Sequence, residues 1–168
     1  MLNWSFFPRS SRPTPLALAI VEAFTAIASE IDSDAHELKS NEVLAAVKPH
    51  LEPLGFAVEI GKSEEERIRV PVLFGRNGRL EKSFDADAYN EAAGFVIEVE
   101  AGRGVTNFQF LKDLFQASMM HNVEYLAIAV RNVYKGKQDF DIVEKFFTTL
   151  YASQRLQLPL NGILIIGY

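Results

Sequence analysis

The sequence predicts an α/β sandwich: a mixed sheet, part antiparallel meander and part β-α-β crossover, flanked by helices. Three observations predict it. Near the start, Leu16, Ile20, Phe24, Ile27 and Ile31 fall on one helical stripe. From Phe56 to Ala101 the pattern shifts to short runs rich in β-branched and aromatic residues, broken by turn residues. Beyond that, helical segments alternate with Tyr125–Val130 and Gly162–Gly167, two runs apolar enough to be strands buried on both faces.

Residues 1–15 are expected to be an irregular leader, because Pro8 to Pro15 carries three of the seven prolines. A first helix covers 16–31. Asp34 with Glu37 has capping-box spacing, and Asn41–Leu51 forms a second helix ending near Pro53. Strands follow at 56–60 and 67–74, and Gly75-Arg-Asn-Gly78 supplies the Asn-Gly pair that favours a tight hairpin. Leu80–Tyr89 and Gly94–Ala101 are two further strands joined by Asn90–Ala93. Thr106 or Asn107 caps a helix running through Met120. The Tyr125–Val130 strand, a helix over 140–152 and the Gly162–Gly167 strand complete the order, and right-handed crossovers extend one mixed sheet.

A chain of 168 residues fits a single domain, 1–168, large enough to bury its own core. Hydrophobic residues at 48% and charged residues at 23% exclude a disordered chain. With no cysteine, disulfides, thiolate zinc sites and cysteine nucleophiles are excluded. The first residues lack the apolar core of a secretory signal, and Leu16–Ala28 is too short and too interrupted to span a bilayer, so a cytoplasmic protein without membrane contact is expected. A net charge of −5 argues against simple coating of nucleic acid. The distribution is uneven, however. Residues 62–82 hold six basic against four acidic groups, and Arg131, Lys135 and Lys137 sit together with no acid among them.

Chemistry concentrates in two acidic pairs. On strands, Asp85 and Asp87 share one face, as do Glu98 and Glu100, because side chains repeat every second residue. A short hairpin joins the two strands, so the four carboxylates can converge. Like charges at that density need a cation or a raised pKa to relieve them, and oxygen ligands suit Mg²⁺ or Mn²⁺ better than zinc. An exposed sheet with one wet face also alternates Glu with Val. Against that reading, a central strand seldom spends two acids on one face.

The succession of Asp, hairpin, Ile97-Glu-Val-Glu100, the Phe110-Leu-Lys-Asp-Leu114 helix and a buried strand resembles the PD-(D/E)xK nuclease superfamily. It is most similar to the BglII- and BamHI-type group of restriction endonucleases, in which Gln or Glu replaces the usual lysine. The likeness covers mainly residues 54–131. It implies a restriction-endonuclease-like fold and Mg²⁺-dependent hydrolysis of DNA phosphodiester bonds. Asp87 or Asp85 would be the first metal ligand and Glu98 the second, the Val99 carbonyl could help from the backbone, and Glu100 would bind metal or orient the attacking water. The chain departs from the pattern in having no lysine at position 100 and no proline before either Asp, which leaves open a catalytically silent binding or dimerising module.

Other signals are weaker. Arg103, in Gly102-Arg103-Gly104, could approach a phosphate, and Gln109 could support the site from the next helix; a plain connecting loop and an exposed helix residue are the blander alternatives. Glu42 suits either a metal site or the dipole of its helix. Gly61-Lys62-Ser63 lacks the first glycine of a phosphate-binding loop and reads as a turn. His36, His50 and His121 lack metal-binding spacing. Phe108, Leu111, Phe115 and Met119 make a core-like stripe that, with Phe146, Phe147 and Tyr151, could also line a homodimer contact. A sensor domain with an apolar pocket against the sheet would be a third class.

Overall fold

The computed structural model describes residues 1–61, 63–102 and 105–168. Its centre is β6 (Phe95–Glu100), β7 (Tyr125–Val130) and β10 (Gly162–Gly167), three parallel strands adjoining in the order β6-β7-β10. Around them lie β1 (Asn3–Phe7), antiparallel to β10, and on the other side β5 (Ala88–Asn90) and β2 (Ala57–Val58). The six-stranded sheet therefore runs β1-β10-β7-β6-β5-β2.

Alternation along the central strands divides two cores. Phe95, Ile97, Val99, Ala127, Ala129, Leu164 and Ile166 pack under α1 (Pro15–Ala26), the single turn α2 (Ala28–Ile31) and α3 (Ser40–Leu51). The other face, with Val96, Leu126, Ile128, Val130, Ile163 and Ile165, packs under α4 (Gln109–Met119) and α5 (Asp139–Ser153). Because a pleat sends successive side chains to opposite faces, Glu98 and Glu100 fall on the Val96 side, under α4.

Several expectations are corrected. Residues 1–15 are not wholly irregular, since β1 occupies 3–7; its hydrogen-bonding partner lies at 163–167, so no local pattern announces it. Thr14, not Leu16, sets the start of α1, its hydroxyl accepting the Ala17 N–H at 3.1 Å, and the helix breaks at Ile27 before α2. The α3 start uses Glu42 accepting the Lys39 N–H at 2.7 Å, rather than Asp34 and Glu37. Phe108 in the left-handed region (φ 54°) precedes α4, instead of a Thr106 or Asn107 cap. Finally, Leu80–Tyr89 is two strands. β4 (Leu80–Ala86) pairs with β3 (Ile68–Phe74) as a separate two-stranded hairpin, and the chain bends at Asp87 before β5 joins the main sheet. The hairpin turn itself uses Asn77 and Gly78 at φ 59° and 72°, the left-handed pair expected of Asn-Gly.

The bends on either side of β5 are fixed by specific contacts. Asn90, nearly buried, donates to the Leu54 carbonyl and accepts from the Ala93 N–H. Gly94 (φ 59°) lies so close to the Asn122 carbonyl that a Cβ has no room. No helix among the described residues is long and apolar enough to cross a membrane.

Candidate functional site

The bend at residue 87 separates the two aspartates that alternation had left equivalent. Asp85 stays on β4, exposed, and pairs with Arg67 at 3.2 Å. Asp87 turns toward β6, where its Oδ2 accepts the Val99 N–H at 2.7 Å. Val99 thus reaches the site through its N–H, and Asp87 rather than Asp85 is the residue that joins Glu98 and Glu100.

Two acids not singled out in the sequence complete the group. Glu59 follows β2; its N–H donates to the Asp87 carbonyl at 2.8 Å, and its side chain hydrogen-bonds the Asp87 carboxyl. Asp113 comes from α4, only 4% exposed, and shares a hydrogen bond with Glu100. Its signal was present in the sequence: Phe110, Leu114 and Ala117 form the buried face of α4, and Asp113 interrupts that face with a charge. Asp113 Oδ2 is buried without a hydrogen-bond partner among the described residues.

Burial dominates the electrostatics. It pushes Asp87 up to about 7, a rise reinforced by Glu59 and Glu100 and opposed by the Val99 N–H. Burial pushes Asp113 up to about 8, helped by the charge and hydrogen bond of Glu100. Glu98 is held well above the ordinary carboxylate range by burial, then by Asp87, Asp113 and Glu100. Glu100 is also raised by burial, against the pull of Asp113 and Lys112. Lys112, exposed on α4, is the cation that opposes the rise at Glu98, Glu100 and Asp113. These acids therefore feel a positive charge that comes from a helix and not from their own strand.

Without a cation, carboxyls crowded in this way share protons. Glu59 with Asp87, and Glu100 with Asp113, form such pairs, and Glu98 feels the charge of both. Among the described residues, no three His, Cys, Asp or Glu side chains already surround one point as metal ligands do. The donor set is nevertheless all oxygen, Asp113 brings an unsatisfied buried oxygen, and Asp87, Glu98 and Glu100 are each half-buried with a side open to solvent. That chemistry fits a hard divalent cation.

The remaining candidates lie elsewhere or outside the described residues. Arg103 and Lys62 are among the residues not described. Gln109 is the first residue of α4, half-buried, at the end reached from β6. Glu42 is committed to the start of α3. His121 packs edge-on against Phe74, and His36 contacts the Ser29 carbonyl. An apolar hollow of about 290 Å³ lined by Pro15, Leu16, Phe95 and Tyr125 sits at the opposite end of β6 from Glu100, and it is small for a ligand-sensing cavity. No protein-family model matches the chain, and no curated protein sequence matches it.

Proposed function

We propose that the chain is a restriction-endonuclease-like domain that hydrolyses DNA phosphodiester bonds with Mg²⁺ or Mn²⁺. The observation that carries this reading is the gathering of Asp87, Glu98, Glu100 and Asp113 from a bend, a central strand and a helix at one end of the sheet, all with raised proton affinity. Structural ion pairs would be paired with cations; these acids are paired with one another. Perturbation of that kind clusters at functional sites.

Asp87, Glu98 and Asp113 are the residues that would hold the cation. A divalent ion there supplies Lewis-acid polarisation of the phosphodiester and a more acidic attacking water. The Val99 N–H orients Asp87, and the Tyr168 hydroxyl, donating to the Glu100 carbonyl at 3.1 Å, steadies the end of β6. Glu100, whose proton affinity burial raises, would be the carboxylate left to accept a proton from the attacking water once Asp113 is engaged by the cation. Lys112 adds positive charge where negative charge would grow on a phosphate.

Plasmid nicking with Mn²⁺ tests this. Wild type should nick, and Glu98→Ala should not. Nicking by neither protein would favour the second reading, a catalytically silent nuclease fold that binds a partner, for which Glu100 in place of lysine and the net charge of −5 are the supporting features.

A further inference from the structure

An acidic cluster by itself repels a polyanion, so a DNA-cleaving site needs positive charge nearby. Of the basic residues Arg131, Lys135 and Lys137 that follow β7, the two lysines supply it. There the chain forms a small hairpin of β8 (Val133–Tyr134) and β9 (Lys137–Gln138). Arg131 is nearly buried and donates to the Leu38 carbonyl, so its role is internal: its guanidinium lies 5.2 Å from the centre of the Tyr134 ring. The Lys135 ammonium lies 5.3 Å from the same ring. Gly102, two residues beyond Glu100, packs directly on it; a Cβ there would stand 2.5 Å from Tyr134 Cε2. Tyr134 is therefore a fixed wall between the end of the acidic strand and the lysines.

Beside that wall opens a hollow of about 290 Å³. Among the described residues it is lined by Gly102, Thr106, Asn107, Tyr134, Lys135 and Lys137. These bring two ammonium groups, two hydroxyls and an amide, and no carboxylate. A neighbouring hollow that shares Tyr134 and Lys135 includes Asp34 and Glu37, so the charge selectivity belongs to the first. Asp139, the acid that feels Lys137 and Arg131, is buried at the start of α5, and burial favours its neutral form.

We propose that this hollow is a phosphate subsite, which holds a backbone phosphodiester of DNA neighbouring the one presented to the acidic cluster. The identity of the ligand rests on the nuclease reading, whereas the anion site itself does not. Lys135 and Lys137 are exposed, so Lys135→Gln and Lys137→Gln leave the core intact. Binding of a short labelled DNA duplex, measured in EDTA across a salt series, separates the two ideas because no hydrolysis occurs.

Losing one phosphate contact should lower the slope of log K against log salt by about 0.9. Because both lysines serve one phosphate, the double variant should lose about 0.9 in total and bind several-fold more weakly, with each single variant in between. Lys145→Gln, on the outer face of α5, should change neither. Lysine-dependent DNA binding without nicking in Mn²⁺ would support the subsite while removing the catalytic reading. A double variant with wild-type affinity and slope would overturn the subsite. So would a wild type that ignores DNA while inorganic phosphate alone raises its melting temperature through Lys135 and Lys137, since the hollow would then serve a free anion.

Discussion

Asp87, Glu98 and Asp113 hold protons that the unfolded chain would release near pH 4, and this fixes the sign of their effect on stability. A folded pKa raised to about 7 for Asp87 and about 8 for Asp113 means that the native state binds more protons than the unfolded state between those limits. Stability of the metal-free protein should therefore be greatest at the acidic end of that window, fall as pH rises through it, and level off above about pH 8. Thermal melts in EDTA from pH 5 to 8.5 check this; a melting temperature that climbs over that range would contradict the buried-acid arrangement. Replacing a crowded acid by its neutral isostere should relieve the repulsion. Asp87→Asn and Glu98→Gln are each expected to stabilise the metal-free protein at pH 8 by about 1–2 kcal/mol, with each kcal/mol worth roughly 2–4 °C at this size. A divalent cation competes with the same protons. Mn²⁺ should raise the wild-type melting temperature more at pH 8 than at pH 6, and should lose that effect in Glu98→Gln.

At the level of elements, the site depends on two bends flanking β5. Asn90 satisfies a carbonyl and an N–H that would otherwise be left bare, and Asn90→Ala should cost about 1–3 kcal/mol. Gly94→Ala adds a clash with the Asn122 carbonyl to a left-handed backbone, so a larger loss is expected, read from urea midpoints. The β3–β4 hairpin has a different character. Val70 and Ala86 are buried at its base, while Leu73, Phe74 and Leu80 are exposed near its tip. Amides near the tip should exchange with solvent well before those of β6, β7 and β10, whose residues are covered on both faces by helices. Uniform exchange across all these strands would show the hairpin to be as firmly held as the main sheet.

For the whole molecule, exposed apolar surface bears on self-association. Phe115 and Met119 lie one turn apart on the outer face of α4, and Phe74 packs against His121 just beyond that helix. Of the α5 aromatics expected to share this surface, Phe147 is fully buried, whereas Phe146, packed on Phe110, and Tyr151, stacked on Phe7, are half-buried. If the protein forms a homodimer, the exposed apolar residues of α4 and the hairpin tip are the surface that pairing would bury. Sedimentation velocity should then show a dimer that Phe115→Glu converts to monomer, and a wild-type monomer at every concentration would remove this idea.

Glu98 and Glu100 could be placed from sequence because their relation is local: two residues apart on a strand means one face, whatever the strand packs against. The same locality made Tyr125–Val130 and Gly162–Gly167 legible, since an unbroken apolar run needs burial on both sides. Asp85 and Asp87 obey the same spacing, yet only tertiary structure could separate them, because the bend at residue 87 is dictated by β5 pairing with β6 while β4 pairs with β3. β1 was hidden for a related reason, as its hydrogen bonds are closed by residues about 160 positions away. Asp113 and Glu59 join the site through space alone: the fold of the backbone, set by burial of apolar faces, decides which distant acids meet, and no spacing along the chain records that meeting.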